Sequence, residues 1–152
     1  MTDPERVNPG ALYGAAPYDY AVVSPPVPLV FAAGACPLDE RGRVVAPGDV
    51  EAQTRQALDN LALVLADAGS SLERLLKTTV YVVASERAHL LRAWKVVEAY
   101  LAPARPPSTL LGVSLLGYAE QLVEIDAVAL SSADRAQGRA AGRERGRAAG
   151  DG

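Results

Sequence analysis

The sequence predicts an α+β fold of order β-β-α-β-α-β-β, one sheet with two helices on one face. Two observations carry this expectation. Two stretches with helical periodicity lie on either side of the β-rich run LLKTTVYVVA, and short aliphatic runs flank that block at both ends.

The early runs YDYAVV and PLVFAAGACP are separated by SPPV, which suggests a hairpin of two strands with a proline-stiffened turn. LDERGRVV turns again at Gly42. Asp49 is a good N-cap, Leu58, Leu61, Ala62 and Leu65 recur at i, i+3, i+4 and i+7, and Gly69 supplies the stop, so a first helix is expected between them. In LLKTTVYVVA, alternation sends Lys77, Thr79, Tyr81 and Val83 one way and Thr78, Val80 and Val82 the other. A second helix runs from about Glu86 to Leu101 with Leu90, Ala93, Trp94, Val97 and Leu101 on one stripe, and it ends before Pro103. PARPPSTLLGV follows, a stiff elbow in which Arg105, Pro106 and Pro107 should enter the strand already extended and hold Ser108 and Thr109 in place. TLLGVSLL and QLVEIDAVAL close the fold.

In the last strand Val123, Ile125, Ala127 and Ala129 can face the helices, while Leu122, Glu124, Asp126, Val128 and Leu130 face away. A free face does not need Leu122, Val128, Leu130, Tyr81 and Val83 together. Burial of this face against another copy in a closed symmetric oligomer explains them.

Composition narrows the function. At 152 residues with 49% hydrophobic residues, one domain over 1–130 is expected. Residues 131–152 form an Arg/Ala/Gly-rich tail with no large apolar residue, expected to be disordered. The tail carries five of the 15 basic residues, so the body holds 10 basic against 15 acidic residues, a poor match for a phosphate backbone. No nucleic-acid partner is expected. No run approaches the ~20 apolar residues of a membrane span and no secretory signal opens the chain, so a soluble cytoplasmic protein is expected. The single Cys36 rules out an internal disulfide, and with the lone His89 it leaves no ligand set for a metal; no metal or cofactor is expected. His89, in the first turns of a charged helix, reads as a solvated surface residue.

Glu124 and Asp126 share one strand face at i, i+2, where burial and like charge favour acid/base work, with intersubunit ion pairs or solvent exposure as the alternative. QTRQALDNLALVLADAGSSLERLLKTTVYV, from Gln53 to Val82, together with AGACP and LVEIDAVAL, resembles the reactive-intermediate deaminase family, the Rid or YjgF-type family, over roughly residues 17–130. The resemblance implies a chorismate-mutase-like fold, a homotrimer, and a small-molecule site in each cleft between subunits. In deaminating members an arginine near the start of the penultimate strand grips the carboxylate of a 2-imino acid, and water hydrolyses the C=N bond.

Ser108 stands at that arginine position. A hydroxyl offers one donor and no charge, so the resemblance points to processing of a neutral or cationic imine, enamine or related carbonyl compound, with a non-catalytic metabolite-binding trimer as the alternative. Glu124 matches the family's water-orienting carboxylate and is the expected catalytic residue. Tyr18 matches the cleft tyrosine, a family serine falls on Ala33, and Gly34 keeps its backbone N–H available. Ser108 and Thr109 complete the ligand contacts. Cys36 faces the cleft or is a buried thiol; Trp94 is a cleft wall or packing; Arg105 reaches the ligand or caps the preceding helix; Tyr118 rims the cleft or packs.

Overall fold

A computed structural model describes residues 3–132. The order is β1 (Glu5–Val7), β2 (Ala21–Val23), β3 (Leu29–Ala35), α1 (Val50–Asp67), a 3-10 turn (Leu72–Arg74), β4 (Leu75–Val83), α2 (Arg87–Leu101), β5 (Ser108–Val113) and β6 (Val123–Leu130). Four strands form a sheet in the order β3-β6-β4-β5, in which only β4 and β5 are parallel. The α+β expectation holds, with both helices packed on one face: α1 over β3 and β6, α2 over β4 and β5.

The early hairpin does not form. β2 pairs instead with β1, a strand the sequence did not announce, in a separate two-stranded ribbon with Arg6 opposite Val22. Pro25, Pro26 and Pro28 remove three donors between β2 and β3, and the chain bends so that Val27 N–H donates to Pro25 C=O at 2.8 Å. β3 is thereby free to pair with β6, with Phe31 opposite Val128.

The expected helix boundaries are met for physical reasons. Asp49 Oδ1 accepts from the backbone N–H of Glu51 and Ala52, each at 3.0 Å. Past α1, Gly69 takes φ +72°, its N–H donates to Ala66 C=O, and Ser70 N–H reaches back to Leu65 C=O at 2.8 Å. Gly42 turns at φ +74° with Asp39 accepting from the backbone of Arg41 and Arg43. The elbow departs from expectation: Arg105 is not extended but sits at φ +44°, because its backbone turns to place its C=O under the N–H of Asp19.

Leu58, Leu61 and Leu65 of α1, Val97 of α2, and Val80, Val82, Val123 and Ile125 of the sheet have no exposed surface. The opposite sheet face stays open, with Phe31 75% and Leu111 44% exposed beside the half-buried Tyr81, Val83 and Val128. Leu130, expected on that face, is already covered by its own chain at 2% exposure. Ser131 and Ser132 belong to the folded body rather than the tail, since their N–H groups donate to Pro28 and Gly69 C=O. Residues 133–152, the rest of the tail expected to be disordered, lie outside the described residues. Among the described residues no helix is long and apolar enough to cross a membrane.

Candidate functional site

Glu124, the second residue of β6, lies opposite Tyr81 on the open sheet face. The pairing of β3 with β6 slips between Ala32 and Ala35, so Ala33 and Gly34 form a bulge beside it. The Glu124 side chain lies across that bulge: a Cβ on Gly34 would stand 1.9 Å from Glu124 Oε1. Only glycine leaves this space. The buried Gln121 fixes the other oxygen, donating from Nε2 to Glu124 Oε2 at 3.2 Å and to Val123 C=O at 3.1 Å, while its Oε1 accepts from Tyr118 N–H at 3.0 Å. Cys36 is half-buried next to this group. Burial pushes its thiol pKa up and the Glu124 charge adds to the rise, which keeps it a thiol rather than a nucleophilic thiolate at neutral pH.

Further along the same face the two carboxylates part company. Asp126 Oδ2 accepts from Tyr81 O–H at 3.1 Å, and Lys77 Nζ donates to Thr109 Oγ1 at 2.6 Å. Burial lowers the Lys77 pKa, opposed by the charge of Asp126. The Glu124 carboxylate is thus the acidic group aimed at the bulge, and Asp126 is engaged by a tyrosine.

A second group of expected residues gathers elsewhere. Ser108 pairs in register with the fully buried Thr78, and their hydroxyls meet at 2.6 Å, so Ser108 points to the helix-covered side. There it lines a cavity of about 320 Å³ with Trp94, Val97, Leu101, Pro106 and the segment Gly14–Pro17. Tyr18 meets Trp94 edge-on at 6.3 Å between ring centroids. Arg105 lines the same cavity and donates through Nη2 to Ala16 C=O, so its guanidinium holds the N-terminal segment rather than capping α2.

Within one protomer these groups do not make one pocket. Ser108 and Thr109 are neighbours in a strand and therefore face opposite ways. Ser108 opposes Thr78 and Glu124 opposes Tyr81, three residues further along β4 and on the other face, roughly 10 Å apart along the strand. Tyr118 is half-exposed and contributes its backbone to Gln121 rather than its ring to a pocket wall. His89 is not fully solvated but half-buried, lining a separate cavity with Val50, Arg92 and Val113.

The sequence reading missed Gln121 and the polar brace of the N-terminal segment. In that brace Asp19 accepts from Arg6 and, at 2.8 Å, from Asn8 Nδ2, and Arg6 also donates to Ala104 C=O at 2.7 Å. Gln121 lies in a polar loop whose sequence carries no sign that one side chain is buried. Asp19 follows Tyr18 directly, and its partners are 11 and 13 residues away, beyond any local motif.

The family model described as endoribonuclease L-PSP matches residues 9–131 of this chain. The chain belongs to that family. The resemblance to Rid proteins read from the sequence is confirmed, and solved structures similar to this chain carry the Rid name. A protein of unknown function of the conserved Rid protein family from Yersinia pestis superposes with a TM-score of 0.78 at 30% identity, over 85% of this chain and 99% of that one. A RutC family protein of Pyrococcus horikoshii is 33% identical over 101 residues, 66% of this chain and 78% of that protein. The relative named 3-aminoacrylate deaminase RutC, from Acinetobacter baylyi, is 32% identical over 108 residues, covering 66% of this chain and 78% of that protein.

Proposed function

We propose that this L-PSP protein is a homotrimeric hydrolase of reactive imines or enamines, with Glu124 as the catalytic residue in a cleft between subunits. The observation that carries the reading is the Glu124 carboxylate laid across the Gly34 bulge and held there by Gln121. An acceptor fixed in this way can orient a water molecule for attack on a C=N carbon. Water adds its oxygen to that carbon and its proton passes to nitrogen; the carbinolamine then releases ammonia and leaves a C=O group. An enamine enters the same sequence after protonation at carbon gives the imine. The relative named for 3-aminoacrylate deamination supports the reaction class.

The trimer is supported by the open face, where Phe31, Leu111 and Val128 would gain from burial against other copies. It also gives a reason for the separation of the two residue groups, which one protomer keeps on opposite sides of its sheet. Freshly generated imines and enamines, made in situ by an amino-acid oxidase or dehydratase, test the activity through ammonia and carbonyl release. We expect wild type to exceed the uncatalysed rate and Glu124→Gln to return to it; equal rates for both overturn the assignment and favour a metabolite-binding trimer.

A further inference from the structure

We propose that the cavity at the ends of β4 and β5 binds a phosphate monoester with a small apolar or aromatic body, its phosphate held by Arg92, His89, Ser85 and Ser114. None of these four residues belongs to the Glu124 group or to the Trp94 cavity, and the inference stands apart from imine hydrolysis.

β4, α2 and β5 form a crossover unit whose two strands run parallel, with Val83 opposite Val113. Ala84 N–H donates to Val113 C=O at 3.3 Å and holds the two strand ends side by side, so Ser85 and Ser114, just beyond them, line one cavity. The crevice outside the carboxyl ends of parallel strands is where open sheets with crossover helices hold their ligands. Here it measures about 560 Å³, within the roughly 300–1,000 Å³ of small-molecule pockets. Val50, Val113 and Leu122 give it apolar walls for the body of a ligand.

The polar groups come from three elements and converge on this space. His89 and Arg92 stand at i and i+3, on one face of α2. Among the described residues nothing bonds to the His89 ring or to the hydroxyls of Ser85 and Ser114. Arg92 is engaged through Nε alone, which donates to Glu51 Oε1 at 3.2 Å, so both of its terminal amino groups remain for a ligand. Donors spread over two hydroxyls, an imidazole and a guanidinium suit the three acceptor oxygens of a phosphate better than the two coplanar oxygens of a carboxylate. The guanidinium adds two-point recognition of that group. Glu51 orients Arg92 but opposes an anion by its charge, which makes it the residue that limits affinity.

His89 is the only histidine, so its ring resonances report this cavity directly. Phenyl phosphate, benzoate, inorganic phosphate and phenol are titrated separately into the full chain at constant neutral pH. We expect a saturable shift of the His89 signals with phenyl phosphate and at least tenfold weaker binding of the other three. Arg92→Gln should weaken phenyl phosphate at least tenfold. Glu51→Gln, which keeps an acceptor for Arg92 Nε and removes the negative charge, should tighten it. The absence of a saturable shift overturns the inference, as does binding of benzoate, inorganic phosphate or phenol equal to that of phenyl phosphate, or undiminished binding in a folded Arg92→Gln. If Arg92→Gln fails to fold, Glu51→Gln decides: unchanged or weaker binding overturns the inference. Imine hydrolysis is scored separately and should be the same in Arg92→Gln as in wild type, so phosphate binding without turnover removes only the hydrolytic reading, and turnover without phosphate binding removes only this inference.

Discussion

The two faces of the central sheet follow the same alternation and end in opposite circumstances. On the helix side Val80, Val82, Val123 and Ile125 lose all exposure to their own chain, whereas on the other side Phe31 remains 75% exposed beside Glu124, Asp126 and Lys77. The first face holds the protomer together. The second carries both the open apolar surface and the candidate-site carboxylates, so the proposed assembly and the proposed site share one surface. Covering a phenylalanine side chain stabilises by about 1.5–3 kcal/mol, a gain the isolated chain leaves unused at Phe31.

The comparison is broken most forcefully by one substitution on each face. Ile125→Ala should lose about 2–5 kcal/mol of stability in denaturant unfolding, because it leaves a cavity among residues that cannot relax. Phe31→Asp should leave the unfolding of the single chain within about 0.5 kcal/mol of wild type, as an exposed position does, and should instead reduce the mass seen by light scattering from a trimer to one chain. A wild type that already runs as one chain, or a Phe31→Asp protein that unfolds as Ile125→Ala does, would erase the distinction.

Gly34→Ala sharpens it on the chemical side. Its new methyl would occupy the space of Glu124 Oε1, and a flexible side chain can yield without unfolding the sheet. We expect imine hydrolysis to fall at least tenfold, about 1.4 kcal/mol in the barrier, with the melting temperature nearly unchanged. Retained activity would mean that the carboxylate position over the bulge does not matter.

The helix-covered face was legible in the sequence because alternation and i, i+4 periodicity are local properties. Asp49, Gly42 and Gly69 announced their turns for the same reason, and the pairing of Thr78, Val80 and Val82 against Lys77, Thr79 and Tyr81 followed from period two alone. The β1–β2 ribbon was not legible. Its partners lie 14–18 residues apart across a segment with no hairpin signal, and what holds it is a buried Asp19 bonded to Arg6 and Asn8. The site divided in the same way. Glu124 and Gly34, matched through the resemblance, do meet, but the elbow that carries Ser108 and Thr109 opens directly into a strand, which sends them to opposite faces. Arg105 left the extended geometry expected before Pro106 because a contact with Asp19, 86 positions earlier, outweighs a local preference.

A smaller effect separates helix ends from sheet faces. Asp49→Ala removes the acceptor for two backbone N–H groups at the start of α1 and should cost about 1 kcal/mol in denaturant unfolding. Activity per folded molecule should stay at the wild-type level, since Asp49 contacts neither Glu124 nor the Trp94 cavity. A specific loss of activity would show that α1 positions the site and does not merely cover the sheet.

The smallest effect is confined to the N-terminal segment, and pH should reveal it. Burial raises the Asp19 pKa, but hydrogen bonds from Asn8 and Arg6 and the charges of Arg6 and Arg105 outweigh burial and hold it below the ordinary value of 3.8. A carboxylate with a depressed pKa contributes stability above its unfolded value, and that contribution disappears as pH falls through the folded one. The brace therefore stays intact at neutral and mildly acidic pH and loosens only below 3.8. Amide resonances of Asp19 and Tyr20, whose N–H groups donate to Arg105 C=O and Asn8 Oδ1, should move with a midpoint below that value while those of Val80 and Ile125 hold still. Asp19→Asn should show the loosened pattern at neutral pH, because the brace then lacks the negative charge that Arg6 pairs with. Simultaneous movement of the sheet resonances would mean that the segment is part of the core rather than a strap laid over it.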